Sequence, residues 1–211
     1  MVAAYTFNTS YRPTRPEQHR LPSLRLLEGG RFAPGQFAPV LIEEYQQFRL
    51  RFFRWGLTPA WTKAGRQAEK AFISTDVIWD NPASQLPVRR QRCLIPADGF
   101  YLDSPARQEA LKAGKPNGET FCFAGIYDSW RQKDGSMLYS FAIITTAAPS
   151  SVAHLGLQVP LILPRESESD WLLPQTSLNK INQILFASPR QPLSVHPIAM
   201  LQLDEADLVA A

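Results

Sequence analysis

Phe48-Arg49-Leu50-Arg51-Phe52-Phe53-Arg54-Trp55 alternates apolar and charged residues over most of its length. A period of two belongs to a half-buried β-strand, and it predicts Phe48, Leu50 and Phe52 on the buried face with Arg49 and Arg51 in water. Upstream, Phe37 to Glu43 reads as a second strand. Downstream, strands are expected over Ala71 to Thr75, Arg92 to Pro96, Thr120 to Tyr127, Leu138 to Thr146 and Val159 to Leu163. Helical signals are fewer. Ser104 as N-cap, Pro105 in the first turn, a run of good helix formers and Gly114 as terminator predict a helix over 105–113. Thr176 is placed to cap a helix carrying Leu178, Ile181, Ile184 and Leu185 on one face, and Glu166 to Leu173 reads as another short one. The expected class is a β-rich α+β fold.

Composition agrees with that class. The 211 residues are 45% apolar and 19% charged, enough to bury a core, and suit one domain spanning 1–211. Eighteen prolines and eleven glycines favour short elements joined by turns, which argues against a helical bundle or coiled coil. No repeat period is visible and no Gly/Ser linker divides the chain. The formal charge of +3 comes from the start of the chain, where Arg12, Arg15, Arg20, Arg25 and Arg31 face only Glu17 and Glu28. A solvated arginine-rich loop or a phosphate-facing segment both fit. The absence of an 18-residue apolar run predicts no membrane span, and the early arginines argue against a secretory leader. Cys93 and Cys122 lie in strand-like stretches and read as buried thiols of a reducing compartment, so a cytoplasmic location is expected.

Generic catalytic patterns are missing. There is no phosphate-cradling glycine loop and no G-x-S-x-G elbow. His19, His154 and His196 are widely separated, and no Cys-x-x-Cys or His-x-x-x-His spacing suggests a metal, so neither metal nor cofactor is expected. Asp98-Gly99 reads as a turn.

Five blocks carry a more specific signal. They are Ala33-Pro34-Gly35-Gln36 with Pro39-Val40; Arg54-Trp55-Gly56-Leu57-Thr58-Pro59-Ala60-Trp61; Arg92-Cys93-Leu94-Ile95-Pro96-Ala97-Asp98-Gly99-Phe100-Tyr101; Phe123-Ala124-Gly125-Ile126-Tyr127-Asp128-Ser129-Trp130; and Phe141-Ala142-Ile143-Ile144-Thr145-Thr146-Ala147-Ala148 followed by Val159-Pro160-Leu161-Ile162-Leu163. In this order they resemble the SRAP family (SOS response-associated peptidase domain), whose members act on abasic sites in single-stranded DNA. The resemblance runs from about residue 5 to residue 198 and implies a compact β-rich α+β domain around a half-open barrel.

It also implies a chemistry. The family's chain begins Met-Cys-Gly-Arg, and loss of methionine exposes a cysteine. Its α-amine, with an ordinary pKa of roughly 7.7 to 8.0, attacks the ring-opened sugar aldehyde to give a Schiff base. The thiol then closes a thiazolidine, a stable protein–DNA crosslink. A glutamate in the family's G-F-Y-E-W block and a histidine shortly before its R-M-P block move protons.

This chain departs at each of those positions. Val2 stands for the cysteine, Ala4 for the arginine, Leu102 for the glutamate and Asp103 for the tryptophan after it. Gly156 falls on the histidine position and Gln158 on the arginine before the proline, with His154 two residues early. The family's DNA-holding Asn-Ala-Arg aligns with Ser74-Thr75-Asp76. Together these changes remove about four positive charges, and phosphate contacts dominate nucleic-acid affinity.

The resulting expectation is a catalytically degenerate member acting as a non-covalent binding or regulatory module. It would hold single-stranded DNA more weakly than the family does, or engage a protein, as a monomer with no membrane partner. The matching candidate residues for DNA are Gln36, Trp55, Trp61, Arg89 and Arg90, with Trp55 and Trp61 more readily read as core or scaffold and the arginines equally as a solvated edge. The alternatives are an enzyme forming a reversible imine through the Val2 α-amine or acting through His154, or a cleft turned to another ligand, with Asp76 and Asp103 recognising a cation. The self-processing peptidase activity in the family's name needs the same missing cysteine.

Overall fold

A computed structural model describes residues 2–7, 30–61, 70–104, 109–150, 153, 158–187 and 192–197. The chain opens with strands β1 (Val2–Phe7), β2 (Gly30–Phe32), β3 (Phe37–Glu44), β4 (Gln47–Trp55) and β5 (Phe72–Ser74). One 3-10 turn (Thr75–Val77) and two single-turn helices, α1 (Pro82–Gln85) and α2 (Pro87–Arg90), lead into β6 (Arg92–Ala97), β7 (Gly99–Ser104) and β8 (Glu109–Gly114). Two long strands follow, β9 (Phe121–Arg131) and β10 (Met137–Ala147), then the short β11 (Gln158–Pro160) and β12 (Ile162–Leu163). Helices α3 (Arg165–Leu172) and α4 (Leu178–Leu185) and strand β13 (Ser194–Pro197) complete the described chain.

Among the described residues these strands make two sheets. In the larger, β10, β4, β3, β6 and β9 are hydrogen-bonded in that order, and β9 pairs back to β10, closing a five-stranded barrel. All of these pairings are antiparallel except β4–β10. The β9–β10 seam runs from Met137↔Arg131 to Ile143↔Gly125 and then splays. Leu161 fills the gap: its N–H donates to Ile144 O at 2.8 Å and its carbonyl accepts from Ala124 N at 2.8 Å. The barrel is therefore closed at one end and opened at the other, where β11 joins β10 and β12 joins β9.

The second sheet has the order β13-β8-β7-β1-β2 and lies against the barrel through aromatic rings. Tyr5 meets Trp55 with centroids 5.3 Å apart and Phe123 at 5.9 Å, and Phe100 meets Phe123 edge-on at 5.7 Å. Edge-to-face pairs of this kind add about 0.5–1.5 kcal/mol beyond area burial.

Two close approaches fix the barrel wall. A Cβ on Gly125 would stand 2.2 Å from Ile95 Cδ1, 2.9 Å from Cys93 Sγ and 3.1 Å from Ala142 O, so a larger residue would force the buried Ile95 and Cys93 side chains aside. Arg92 is buried at the start of β6, and its guanidinium donates to the carbonyls of Val88, Arg89, Trp171 and Leu173. It thereby ties the ends of α2 and α3, where unpaired helix carbonyls favour a cation. Burial draws its pKa down to about 10.

Three sequence expectations are corrected. The helix expected over 105–113 is absent from its described part, which is strand. Residues 109–114 form β8, paired to β7 with Leu111 opposite Leu102 and Ala113 opposite Phe100. Helix propensity is a weak prior, and here cross-strand burial of Leu111 and Ala113 overrides it. On β4 the buried face belongs to Phe53 and Trp55, while Phe52 is 55% exposed and Phe48 and Leu50 are only partly covered. Adjacent Phe52 and Phe53 leave the register ambiguous, and Trp55 decides it by entering the aromatic core. Finally, the cap of α4 is Ser177, not Thr176; its hydroxyl accepts from Lys180 N at 3.3 Å. On α4, Ile181, Ile184 and Leu185 are buried as expected, and Leu178 is exposed. Cys93 and Cys122 are both buried and free of disulfides.

Candidate functional site

β1 runs beside β7, and its first residue sits opposite one of the positions that chemistry would need. Val2 pairs with Leu102, Ala4 with Tyr101 and Tyr5 with Phe100, which leaves Ala3 as a bulge. Val2 is 4% exposed and Leu102 is fully buried, and Leu111 on β8 closes over the same face. What stands here is an apolar contact within the hydrophobic core. Tyr5, three residues on, is also buried, and its hydroxyl has no hydrogen-bond partner among the described residues. Burial first, and the nearby Cys93 second, hold that phenol well above its ordinary pKa.

A polar group forms where the barrel opens. Ser74 ends β5 opposite Thr145 of β10, and Gln158 begins β11 opposite Ala147. Thr145 Oγ1 donates to Gln158 Oε1 at 2.9 Å. Gln158 Nε2 donates to Ser74 Oγ at 3.0 Å and to Asp76 Oδ2 at 3.4 Å. Ser74 Oγ donates to Asp76 Oδ2 at 3.0 Å while accepting from Asp76 N at 3.2 Å. The two positions aligned with family arginines, 76 and 158, are thus neighbours, and each satisfies the other. A packing chain joins this group to β1: Phe72, two residues before Ser74, meets Trp55 edge-on at 5.4 Å, and Trp55 meets Tyr5.

The remaining candidates lie elsewhere. Trp55 is fully buried between Tyr5, Phe72 and Phe141, with Nε1 donating to Ala71 O at 2.9 Å. Its ring belongs to the core and offers no face to a base. Gln36 turns its side chain back to accept from Ala33 N at 2.8 Å, closing the turn before β3. Trp61 is 66% exposed. The residue before it, Ala60, donates to Asp128 Oδ2 at 2.8 Å, and Gln91 Nε2 approaches Asp128 Oδ1 at 3.4 Å. That carboxylate draws the Trp61 segment toward the end of α2, where Arg89 and Arg90 are exposed. Arg89 lies over the Trp79 ring at 5.4 Å. Asp128 pairs with Ser140 on β10, five residues short of Thr145, or about 17 Å along a strand. The structure therefore separates the Trp61 segment held by Asp128 from the Ser74–Asp76–Gln158 group, whereas Arg89 reaches Trp79, three residues after Asp76.

His154 and Gly156 lie outside the described residues, as does His19. Asp103 pairs with Ala110 through the backbone of β7 and β8. His196 is on β13, 2.6 Å from Ser194 Oγ. Among the described residues no group of three or more His, Cys, Asp or Glu side chains is placed to hold a metal ion, and no helix is long and apolar enough to cross a membrane. Thr145 is the participant that sequence reasoning missed. It lies in a quoted block, but only the β10–β11 register reveals that its hydroxyl orients Gln158.

Known proteins share both sequence and architecture with this chain. The family model described as SOS response associated peptidase (SRAP) matches residues 24–201. The abasic site processing protein YoqW of Bacillus subtilis is 32% identical over 150 residues, covering 69% of this chain and 66% of YoqW, just under two thirds of its length. The abasic site processing protein YoaM of the same organism is 30% identical over 175 residues, covering 80% of this chain and 77% of its own. The mouse abasic site processing protein HMCES is 28% identical over 153 residues, and 43% of its length is matched. Among solved structures, a phage-related protein of Bordetella bronchiseptica superimposes with a TM-score of 0.71 at 21% identity, covering 93% of this chain and 94% of that one. A Bacteroides thetaiotaomicron protein gives 0.69 at 24% identity, over 80% of this chain and 77% of its own. The match over residues 24–201, with YoaM 30% identical over most of both chains, establishes that this chain belongs to the SRAP family.

Proposed function

We propose that this chain acts at abasic sites in single-stranded DNA as a non-covalent binding or regulatory module, without the crosslinking chemistry of its family. The observation that carries this reading is the Val2–Leu102 pair, two buried apolar side chains in direct register. A thiazolidine needs a thiol beside the reacting amine, and valine has none. Proton transfer needs a titratable group in reach of the reacting atoms, and Leu102 supplies none. Desolvation would also work against a carboxylate at that place. The names of the relatives support abasic sites as the target, and the family resemblance supports a role in the response to DNA damage. The exchange of cationic positions for Asp76 and Gln158 supports weakened contact with the backbone phosphates.

The test is a denaturing gel of the purified protein with single-stranded DNA carrying one abasic site, with and without borohydride. The expected result is no shifted band in either lane, together with measurable reversible binding in a native assay. A band without reductant would overturn the reading, because it requires a stable crosslink. A band only with borohydride would replace it with imine chemistry at the Val2 α-amine.

A further inference from the structure

The Thr145–Gln158–Ser74–Asp76 group settles its own hydrogen-bond orientation. A carboxylate only accepts, so the Gln158 edge facing Asp76 must be its NH2. The Gln158 carbonyl then faces Thr145 and takes its hydroxyl proton. Both hydrogens of Gln158 Nε2 are committed, one to Ser74 Oγ and one to Asp76 Oδ2. Ser74 Oγ accepts twice and gives its single proton to Asp76, so it is saturated. Every side-chain donor in the group is spent internally. The capacity left over is acceptor capacity, centred on the Asp76 carboxylate, and Asp76 and Gln158 are exposed to solvent.

We infer that Ser74, Asp76, Thr145 and Gln158 form a charge filter at the open end of the barrel, which rejects phosphate and takes a primary ammonium group. A phosphate oxygen needs donors, and it would meet a carboxylate and an amide whose hydrogens are already engaged. An ammonium brings three donors and a positive charge, and it meets a carboxylate held in place by two side chains. The site-level assignment rests on the proposed function only in taking this end of β10 as ligand-facing. It names what that end accepts.

The experiment is site-resolved NMR on the whole chain, following the Gln158 side-chain amide and the backbone amides of Ser74 and Asp76. Spermidine is the ammonium probe and inorganic phosphate the anion probe. Spermidine should move these signals along a saturating curve while phosphate leaves them in place. In Asp76→Asn, which keeps shape and removes the charge, the apparent Kd for spermidine at these signals should rise at least about tenfold. Movement of the signals by phosphate, no response to spermidine, or an undiminished spermidine response in Asp76→Asn would each overturn the inference. The crosslinking gel reads a different event, so a band there would leave the spermidine result standing, and a failure here would leave the outcome of the gel intact.

Discussion

The wall of the barrel and its open end obey different rules. In the wall, each position is fixed by what presses on it: Gly125 by Ile95 and Cys93, Arg92 by four carbonyls, Trp55 by three aromatic rings. At the open end and at the start of β1, the residues at family chemistry positions satisfy one another instead. Val2 covers Leu102, and Asp76 engages Gln158. A fold can therefore hold its architecture while its reactive groups are exchanged for mutually satisfied ones.

The comparison breaks if the buried contacts tolerate change or the exposed Asp76–Gln158 group does not. The largest effect is expected for Leu102→Glu, which places an unpaired carboxylate among Val2, Leu111 and the surrounding core. A loss of about 4 kcal/mol is expected in urea unfolding, since a buried charge without a partner is among the costliest substitutions. A loss under about 1 kcal/mol would show that this end is already open to water. Gly125→Ala comes next, with a loss of about 3 kcal/mol from the 2.2 Å approach to Ile95. An unchanged unfolding midpoint would mean that the wall yields more than its contacts imply.

The smallest effect sharpens the comparison rather than breaking it. Asp76→Arg combined with Gln158→Arg should leave stability within about 0.5 kcal/mol, as both side chains are exposed. It should tighten binding of a single-stranded oligonucleotide about tenfold and steepen its salt slope by about 1.4, for two added phosphate contacts. Fluorescence anisotropy at several salt concentrations reads both. An unchanged slope would separate this end of β10 from any nucleic-acid path.

How much of this is legible in the sequence follows from which interactions are local. The principal barrel strands are readable because alternation and β-branched runs are written within each segment. The helix expected over 105–113 fails because Leu111 and Ala113 find their partners on β7, which no local pattern records. Phe52 and Phe53 cannot be ordered without knowing that Trp55 enters the core. At the site, the family blocks point to Val2, Leu102, Asp76 and Gln158. Their pairing, and the part played by Thr145, depends on strand register and becomes visible only in three dimensions.

Leu161 gives the barrel a latch. One residue bridges the splayed strands through both of its backbone groups, and it lies three positions from Gln158. Peeling the 158–163 strip away from β9 and β10 would release the Leu161 latch and remove the amide that holds Asp76. The ligand-facing end and the barrel seam thus belong to one cooperative opening unit, so slowed hydrogen exchange at the Ala124 and Leu161 amides would register a ligand bound at the far side of the strip.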